Sequence, residues 1–115
     1  MVINDLVDAM VNKDHKAFAA CFDERCRLFD YCPSLAGRHS TFLFGRNAVE
    51  MYYHNRFMFG GFTVLDPRIT DERTINFYVK YNDTVVHALA QLENCTDGSC
   101  TLDRSLIKEL VIRPA

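Results

Sequence analysis

The sequence has 115 residues, of which 49% are hydrophobic, and it carries 13 Lys and Arg residues against 15 Asp and Glu residues. This length and apolar content suit a single domain, residues 1–115, with one hydrophobic core. The charges are interspersed and the formal net charge is −2, so no basic stripe is present to follow a phosphate backbone and nucleic acid is not an expected partner. The apolar segment at 57–65 is shorter than the roughly 20 residues that cross a bilayer, and no membrane association is expected.

Five cysteines, an odd number, occur in a chain long enough to fold without cross-links, which favours reduced thiols. Cys95 and Cys100 flank a predicted hairpin and could pair, but two free thiols on neighbouring strands are the preferred interpretation. The histidines at 15, 39, 54 and 87 lack metal-ligand spacing, so neither a metal nor another cofactor is predicted. Asn4, Asp5 and Asp8 interrupt the first apolar segment, unlike in a secretory signal, and a cytoplasmic protein is expected.

The first residues predict an amphipathic helix that ends near Asn12. Its apolar residues recur at intervals of three and four and would form one buried stripe: Ile3, Leu6, Val7, Met10 and Val11. Asp14 is the expected N-cap of a second, short helix, because its carboxylate can accept from unpaired amides in the first turn. The predicted buried face of that helix consists of Ala17, Phe18, Cys21 and Phe22.

From Cys26 the hydrophobic period changes to two, which predicts a strand that ends before Pro33 and Gly37. Cys26, Leu28 and Asp30 would share one face of this strand. If that face is internal, Asp30 is a partly desolvated carboxylate whose raised pKa suits a general base. Alternatively, Asp30 accepts a hydrogen bond from the backbone two residues further on and only shapes a turn. The sequence leaves both possibilities open.

After a loop through position 40, Asn47 and Glu50 resemble a capping box and predict a third helix. This helix would begin at Ala48 and end at the two glycines that follow Phe59. One face is predicted to contain Ala48, Met51, Tyr52 and Asn55. Tyr52 and Asn55 are the candidate ligand contacts on that face. The more ordinary interpretation is that Tyr52 belongs to the core and that its hydroxyl group bonds to some nearby polar group.

The remaining sequence predicts the strands FTVLD, RTINFYVKY, TVVHALAQLE and SLIKELVI, with tight turns at Asn82–Asp83 and Asp97–Gly98. Strands joined by tight turns are antiparallel, so the expected architecture is α+β, with helices followed by an antiparallel sheet. His87 is expected on the face of the sheet that points away from the core. The residues predicted to form the core or line a cavity alternate along two of the strands: Phe77, Val86, Ala88 and Ala90.

The order of these elements, with the segments NKDHKAFAACFDERCRLFD and GRNAVEMYY, resembles the nuclear transport factor 2-like superfamily, including SnoaL-like proteins and ketosteroid isomerases. The resemblance spans essentially the whole chain. It implies a cone-shaped, cystatin-like roll in which N-terminal helices pack on a strongly curved antiparallel sheet and leave an apolar cavity. It also implies a homodimer formed through the sheet face. Functions on this fold range from isomerases, dehydratases and polyketide cyclases to non-catalytic scaffolds, so the fold alone does not choose among them.

In the isomerase branch the general base is an Asp at the end of the first strand, and Asp30 matches that position. The same alignment places Leu6 and Ala90 where that branch has its Tyr and protonated Asp oxyanion donors. One such donor contributes ~2.7–4 kcal/mol in a well-studied enzyme, so the resemblance argues against steroid isomerisation itself. The candidates for a replacement donor are Tyr31, His39, Tyr52 and His54.

Two hypotheses follow from the sequence. The first is a protein that binds a hydrophobic small molecule in an apolar cavity, with acid–base catalysis of the isomerase, dehydratase or cyclase type centred on Asp30. The second is a non-catalytic dimeric scaffold or partner-binding module whose cavity is filled by its nine Phe and five Tyr residues. Under the first hypothesis Arg38 and His39, near the expected opening, could attract an anionic substrate; a solvated loop is the ordinary alternative.

Overall fold

The computed structural model describes residues 2–94 and 106–115. The helices are α1 (Val2–Asn12), α2 (His15–Ala20) and α3 (Arg46–Met58), with a short 3₁₀-helix at Cys32–Ala36. The strands are β1 (Phe22–Asp30), β2 (Thr41–Phe44), β3 (Thr63–Asp71), β4 (Thr74–Tyr81), β5 (Thr84–Asn94) and β6 (Ile107–Pro114). The predicted turn at Asp97–Gly98 and the pairing of Cys95 with Cys100 lie outside the described residues.

The six strands form one open sheet in the order β2, β1, β6, β5, β4, β3. Helix α1 contacts β3 and helix α3 contacts β1 and β2, so the core lies between the helices and one face of the sheet. The predicted α+β class is confirmed, and each described strand pair is antiparallel except one. The expectation of a purely antiparallel sheet is wrong because β1 and β6 are parallel. These strands come from opposite ends of the chain, and no turn between them could set their relative direction.

Three of the described strand pairs contain register shifts that bend the sheet: β3–β4, β1–β6 and β5–β6. The β3–β4 register shifts between Leu65 and Arg68, and the β1–β6 register shifts between Phe22 and Arg27. Extra residues of this kind increase the local twist and bend the strand. Asp66, at φ +48°, lies within the first of these shifts. The predicted strands FTVLD and RTINFYVKY are separated by the segment DPRITDE, whereas β3 continues through this bend as far as Asp71.

The buried faces of the two N-terminal helices agree in most positions with those predicted from the hydrophobic period. The buried residues of α1 are Ile3, Leu6, Ala9 and Met10, so the expected inclusion of Val11 is wrong because that side chain is exposed. Asp14 caps α2 as predicted, since its Oδ1 accepts from the Ala17 amide at 3.0 Å. Phe22 is buried but begins β1 instead of extending the helix.

Strand β2 is absent from the sequence-based expectation, which ended the loop at position 40 and assigned no element to residues 41–44. Its four residues pair antiparallel with the end of β1, and Thr41 lies opposite Asp30. Phe42 and Phe44 are 54% and 65% exposed, and Thr41 is buried. A four-residue strand between a loop and a helix offers too few alternations to be recognised from periodicity. Strand β2 matters for the site because it places the Thr41 hydroxyl group beside the Asp30 carboxyl group.

Helix α3 begins two residues earlier than predicted and has a different cap. Its N-cap is Gly45, at φ +90°, without a side-chain capping bond. The expected Asn47–Glu50 capping box is therefore wrong. Glycine is suited to this position because its missing Cβ permits a positive φ.

The buried face of α3 is rotated by one residue from the prediction. It consists of Val49, Tyr53 and Phe57, whereas Met51 is 70% exposed and Asn55 also faces solvent. The rings of Phe18 and Phe62 pack against Tyr53 at centroid distances of 4.4 and 5.9 Å. These aromatic contacts from α2 and from the segment before β3 select Tyr53, not its neighbour Tyr52, as the interior residue.

Candidate functional site

Asp30 is the last residue of β1, and its side chain points into the protein. It is 3% exposed and shares the buried face of the strand with Cys26 and Leu28, as the period-two pattern predicted. The strand is held on both sides at this point, because Asp30 pairs with Thr41 of β2 and with Ile112 of β6. The carboxylate therefore occupies a fixed, nearly water-free position.

The same carboxylate also shapes the chain after β1. Its Oδ1 accepts a hydrogen bond from the Cys32 amide at 3.0 Å, two residues further on. This is the local turn interaction that the sequence left open as the ordinary explanation of Asp30. Asp30 therefore both shapes the turn and occupies a buried position. The bond to the Cys32 amide uses only one of its two carboxylate oxygens.

The pKa of the Asp30 carboxyl is raised from 3.8 to about 6, because burial penalises its charged form. Hydrogen bonds from the amide and thiol of Cys32, followed by the charge of Arg56, oppose this shift and are smaller in effect. A carboxyl group that titrates near neutral pH is able both to accept and to return a proton.

Three buried polar atoms near Asp30 have no hydrogen-bond partner among the described residues: Tyr53 Oη, Tyr81 Oη and Arg56 Nε. Each of these residues interacts electrostatically with the Asp30 carboxylate. Together, Asp30, Tyr53, Arg56 and Tyr81 form what we call the Asp30 cluster. Buried polar atoms in folded proteins nearly always have a partner, so three orphaned atoms around one carboxyl group indicate a place for a polar ligand or bound solvent.

The two tyrosines of the cluster remain protonated over the physiological pH range. Burial is the largest cause that raises the pKa of each, and the negative charge of Asp30 is the next. Their hydroxyl groups are therefore available as hydrogen-bond donors. Sequence reasoning missed this pair. Tyr81 ends the apolar alternation of β4, a face predicted to be core or cavity wall. The spacing of four between Val49, Tyr53 and Phe57 was the available signal for Tyr53.

A cavity of about 360 Å³ adjoins the cluster. It is lined by residues 38–43 together with Pro33, Tyr52 and Arg56, and we call it the Arg56 cavity. Opposite residues of an antiparallel pair point to the same face of the sheet, so the Thr41 side chain in the cavity lining is the direct neighbour of Asp30. Asp30 itself is not among the lining residues. The Arg56 cavity thus contacts the cluster through Thr41 and Arg56.

The ligand contacts predicted from the sequence lie in three different places: the cavity lining, the protein surface and the buried core. Tyr52 is in the lining of the Arg56 cavity, and its hydroxyl is 2.8 Å from Thr41 Oγ1. Asn55 was expected on the same inner face and is instead exposed, because α3 is rotated. The four strand residues belong to the continuous buried core and not to the lining of this cavity: Phe77, Val86, Ala88 and Ala90.

The positions aligned with the isomerase donors contain apolar side chains in the core, Leu6 and Ala90. Among the candidate replacements, Tyr31 is exposed and packs on Phe42 at a ring distance of 5.7 Å, away from Asp30. His54 packs against His15 at 4.4 Å. His39 and Tyr52 are the two candidates in the lining of the Arg56 cavity.

The described part of the chain, residues 2–94 and 106–115, contains no group of three His, Cys, Asp or Glu side chains that could hold a metal ion. Within the same residues, no helix is long and apolar enough to cross a membrane. Cys21, Cys26 and Cys32 are free and buried.

No protein-family model and no curated protein matches the sequence, whereas many solved structures match its fold. A nuclear transport factor 2-like protein of unknown function from Cytophaga hutchinsonii superposes with a TM-score of 0.66 at 8% identity, over 99% of this chain and 87% of its own. A SnoaL-like protein of unknown function from Burkholderia thailandensis gives a TM-score of 0.60 at 14% identity, over 97% and 89% of the two chains. A ketosteroid isomerase-like protein from Erwinia carotovora gives 0.57 at 10% identity, over 96% and 88%.

The protein therefore has the nuclear transport factor 2-like fold. More particularly, its structural neighbours are SnoaL-like and ketosteroid isomerase-like proteins, the branch that the sequence resemblance indicated. At these identities the similarity is one of fold, and it transfers no residue role from one protein to another.

Proposed function

We propose that this protein binds a small molecule beside the Asp30 cluster and that Asp30 transfers a proton in a reaction of the isomerase, dehydratase or cyclase type. One observation carries this proposal. A buried carboxyl group whose pKa is raised to about 6 lies among three polar atoms that have no partner in the described structure. Perturbed titration combined with unsatisfied donors is typical of catalytic sites.

The proposed chemistry uses Asp30 as the base and the two buried tyrosines as donors. At neutral pH the ionised carboxylate removes a proton from carbon, and the negative charge that develops on the substrate oxygen accepts hydrogen bonds from Tyr53 and Tyr81. These hydroxyl groups supply what Leu6 and Ala90 do not. The reaction type is supported by the fold shared with SnoaL-like and ketosteroid isomerase-like proteins.

The test uses 5-nitrobenzisoxazole, a planar compound that opens when a base removes its single ring C–H proton. The C–H electrons form the nitrile, the N–O bond breaks, and the oxygen leaves as a coloured phenolate. We expect the wild-type protein to accelerate this reaction, with a rate that rises through about pH 6 and then levels, since the pKa of Asp30 is about 6. We expect Asp30→Asn to lose at least about 90% of the acceleration, since a positioned base contributes roughly 10²–10⁴-fold.

The matched control for this assay is Asp14→Asn, which removes a carboxylate from an exposed helix cap. It should retain the wild-type rate. Equal rates in the wild-type protein and Asp30→Asn would contradict a catalytic role for Asp30.

A second candidate function, a non-catalytic dimeric module, is favoured by two features. First, a chain of packed rings occupies the interior, because Phe62 contacts Tyr53, Phe57 and Tyr81 at centroid distances of 5.7–5.9 Å. Second, the outer face of the sheet presents a row of partly exposed side chains in register across three strands: Leu65, Tyr78 and His87. Tyr78 and His87 stack at 4.6 Å. We infer that this outer face mediates homodimerisation.

The dimer proposal predicts a two-fold mass by native mass spectrometry at about 10 µM, a concentration at which a micromolar interface is populated. Val85, on the same outer face, is 53% exposed. Val85→Lys should yield monomer, because burying an unpaired ammonium opposes association. Val11→Lys is the control, since Val11 is similarly exposed but lies on α1. A wild-type monomer, or equal dissociation in both variants, would refute the interface.

A cytoplasmic location is supported by the described thiols. Burial raises the pKa of Cys21 and Cys26 to about 11 and that of Cys32 to about 12. Because the thiolate is the reactive form, these buried groups are chemically inert, and their unpaired state suits a reducing compartment.

A further inference from the structure

We propose that the Arg56 cavity binds the carboxylate group of a small molecule whose remaining part is a single aromatic ring or an apolar body of similar size. This inference deepens the proposed function by naming a ligand class, and it rests on that function in placing the ligand beside Asp30. Three features carry it: the charge of the lining, the buried and unpartnered Nε of Arg56, and the arrangement of hydroxyl groups and apolar walls.

The cavity has a positive lining. Two arginines, Arg38 and Arg56, contribute to it. His39, in the connection between the 3₁₀-helix and β2, is also part of the lining. No Asp or Glu is among the residues that line it. The chain as a whole has a formal charge of −2, so the positive character is local to this cavity. Clefts lined by one sign of charge raise the local concentration of ligands of the opposite sign.

Arg56 has the properties of a ligand-binding arginine. Its Nε is buried without a hydrogen-bond partner, and Arg56 forms no ion pair with a carboxylate of the described residues. Its guanidinium carbon lies 6.0 Å from the centre of the Tyr52 ring, a contact that provides no hydrogen-bond acceptor for Nε. A desolvated donor without an acceptor carries a free-energy cost. A carboxylate would offset this cost, because its two oxygens match two parallel N–H groups of a guanidinium.

Arg38 is placed to contribute the second charge. A Cβ built at Gly61 would lie 3.4 Å from Arg38 Nη2 and 3.3 Å from the Asn82 side chain. The Arg38 guanidinium therefore reaches the segment after α3 and the turn between β4 and β5. It is held near the protein surface, where a bound anion would interact with both arginines.

The remaining lining supplies donors and apolar walls. Thr41 Oγ1 and Tyr52 Oη are 2.8 Å apart, and either can donate in this bond. Two hydroxyl groups carry two protons and the bond uses one, so one donor remains for a ligand oxygen. Pro33, Leu43 and the Tyr52 ring are apolar. The volume of about 360 Å³ is near the lower end of the 300–1,000 Å³ range of small-molecule sites, which suits a ligand of one ring.

The test compares benzoate with benzamide, which has a similar planar shape and no charge, by NMR titration of the ¹⁵N-labelled protein. We expect benzoate to shift the amide signals of residues 38–43, Tyr52 and Arg56 in a saturable manner. Benzamide should bind at least about tenfold more weakly, because a hydrogen bond between two charged groups is stronger than one to a neutral amide.

Variants of Arg56 and Arg38 test whether these side chains bind the benzoate carboxylate. Arg56→Met should lower the affinity for benzoate at least about tenfold and leave benzamide binding unchanged; Arg56→Lys should retain part of the difference. Equal affinities for the two compounds, shifts centred elsewhere, or benzoate binding that is insensitive to Arg56→Met would overturn the proposal. Should Arg56→Met fail to fold, Arg38→Gln serves in its place, and unchanged benzoate binding in that variant is equally negative.

Failure of this inference is distinguishable from failure of the proposed catalysis. Asp30→Asn removes the base but leaves both arginines, so it should bind benzoate at least as tightly as the wild-type protein. Loss of 5-nitrobenzisoxazole turnover with benzoate binding intact supports both proposals. Intact turnover in Asp30→Asn together with arginine-dependent benzoate binding rejects catalysis by Asp30 and retains the anion site.

Discussion

Replacing Asp30 with asparagine is expected to raise the free energy of unfolding at about pH 8 by up to about 3 kcal/mol. The pKa of the carboxyl group rises from 3.8 to about 6 on folding, mainly because of burial. One pKa unit corresponds to about 1.36 kcal/mol, and this shift is about two units. Asparagine has nearly the same shape, carries no charge, and keeps an oxygen that can accept from the Cys32 amide.

The direction of the pH dependence follows from the raised pKa. The folded state favours protonated Asp30, so its contribution to stability is complete below about pH 4, declines as the pH rises through about 6, and is lost above about pH 7. The difference between Asp30→Asn and the wild-type protein should therefore grow between about pH 4 and pH 7 and then remain constant.

Urea denaturation across this pH range measures the difference. Asp14→Asn serves as the control for removing one negative charge from the surface. If Asp30→Asn is instead less stable than the wild-type protein at neutral pH, the ionised carboxylate is stabilised by the fold, and the proposed pKa of the site is wrong.

Replacing Tyr53 with alanine is expected to lower the free energy of unfolding by about 3–5 kcal/mol, the usual cost of deleting a large buried aromatic side chain. Tyr53 contacts four other rings, those of Phe18, Tyr52, Phe57 and Phe62. Tyr53→Phe should cost less than about 1 kcal/mol, because it removes only a hydroxyl group that has no partner among the described residues.

The same pair of variants separates packing from function. If the Tyr53 hydroxyl stabilises developing charge, Tyr53→Phe should keep its stability and lose at least about tenfold in the 5-nitrobenzisoxazole rate, since a single donor of this kind contributes roughly 10²–10³. A loss of stability in Tyr53→Phe comparable to that in Tyr53→Ala would show that the hydroxyl has a structural partner in solution. An unchanged rate would exclude Tyr53 as a donor.

Some features of the candidate site were predictable from local sequence patterns, and others were not. The alternation of Cys26, Leu28 and Asp30 correctly placed the three residues on one face of the strand, because period-two alternation is a local property of a strand. The bond between Asp30 and the Cys32 amide is also local and was foreseen as one of two alternatives. The sequence could not decide between them, since the burial that raises the pKa of Asp30 comes from elements remote in the chain.

The residues that complete the site were not predicted, for the same physical reason. The third helix was expected to direct Tyr52 inward. Tyr53 is the buried residue instead, because aromatic side chains from α2 and from the segment before β3 pack against it. Adjacent helical residues differ by about 100° in direction, so a shift of one position exchanges an interior side chain for a peripheral one. Tyr81 and Arg56 belong to the Asp30 cluster only because the tertiary fold brings β4 and α3 within electrostatic reach of Asp30.

The sequence by itself determined the α+β order of elements, the Asp14 cap, the common face of Cys26, Leu28 and Asp30 on β1, and the resemblance to a nuclear transport factor 2-like fold. These features depend on hydrogen bonds and hydrophobic periods that span only a few residues. The tertiary structure decided the parallel pairing of β1 with β6, the presence of β2, and the grouping of Asp30 with Tyr53, Arg56 and Tyr81. Such features arise from contacts between segments far apart in the chain, where local periodicity carries no information about direction, rotation or distance.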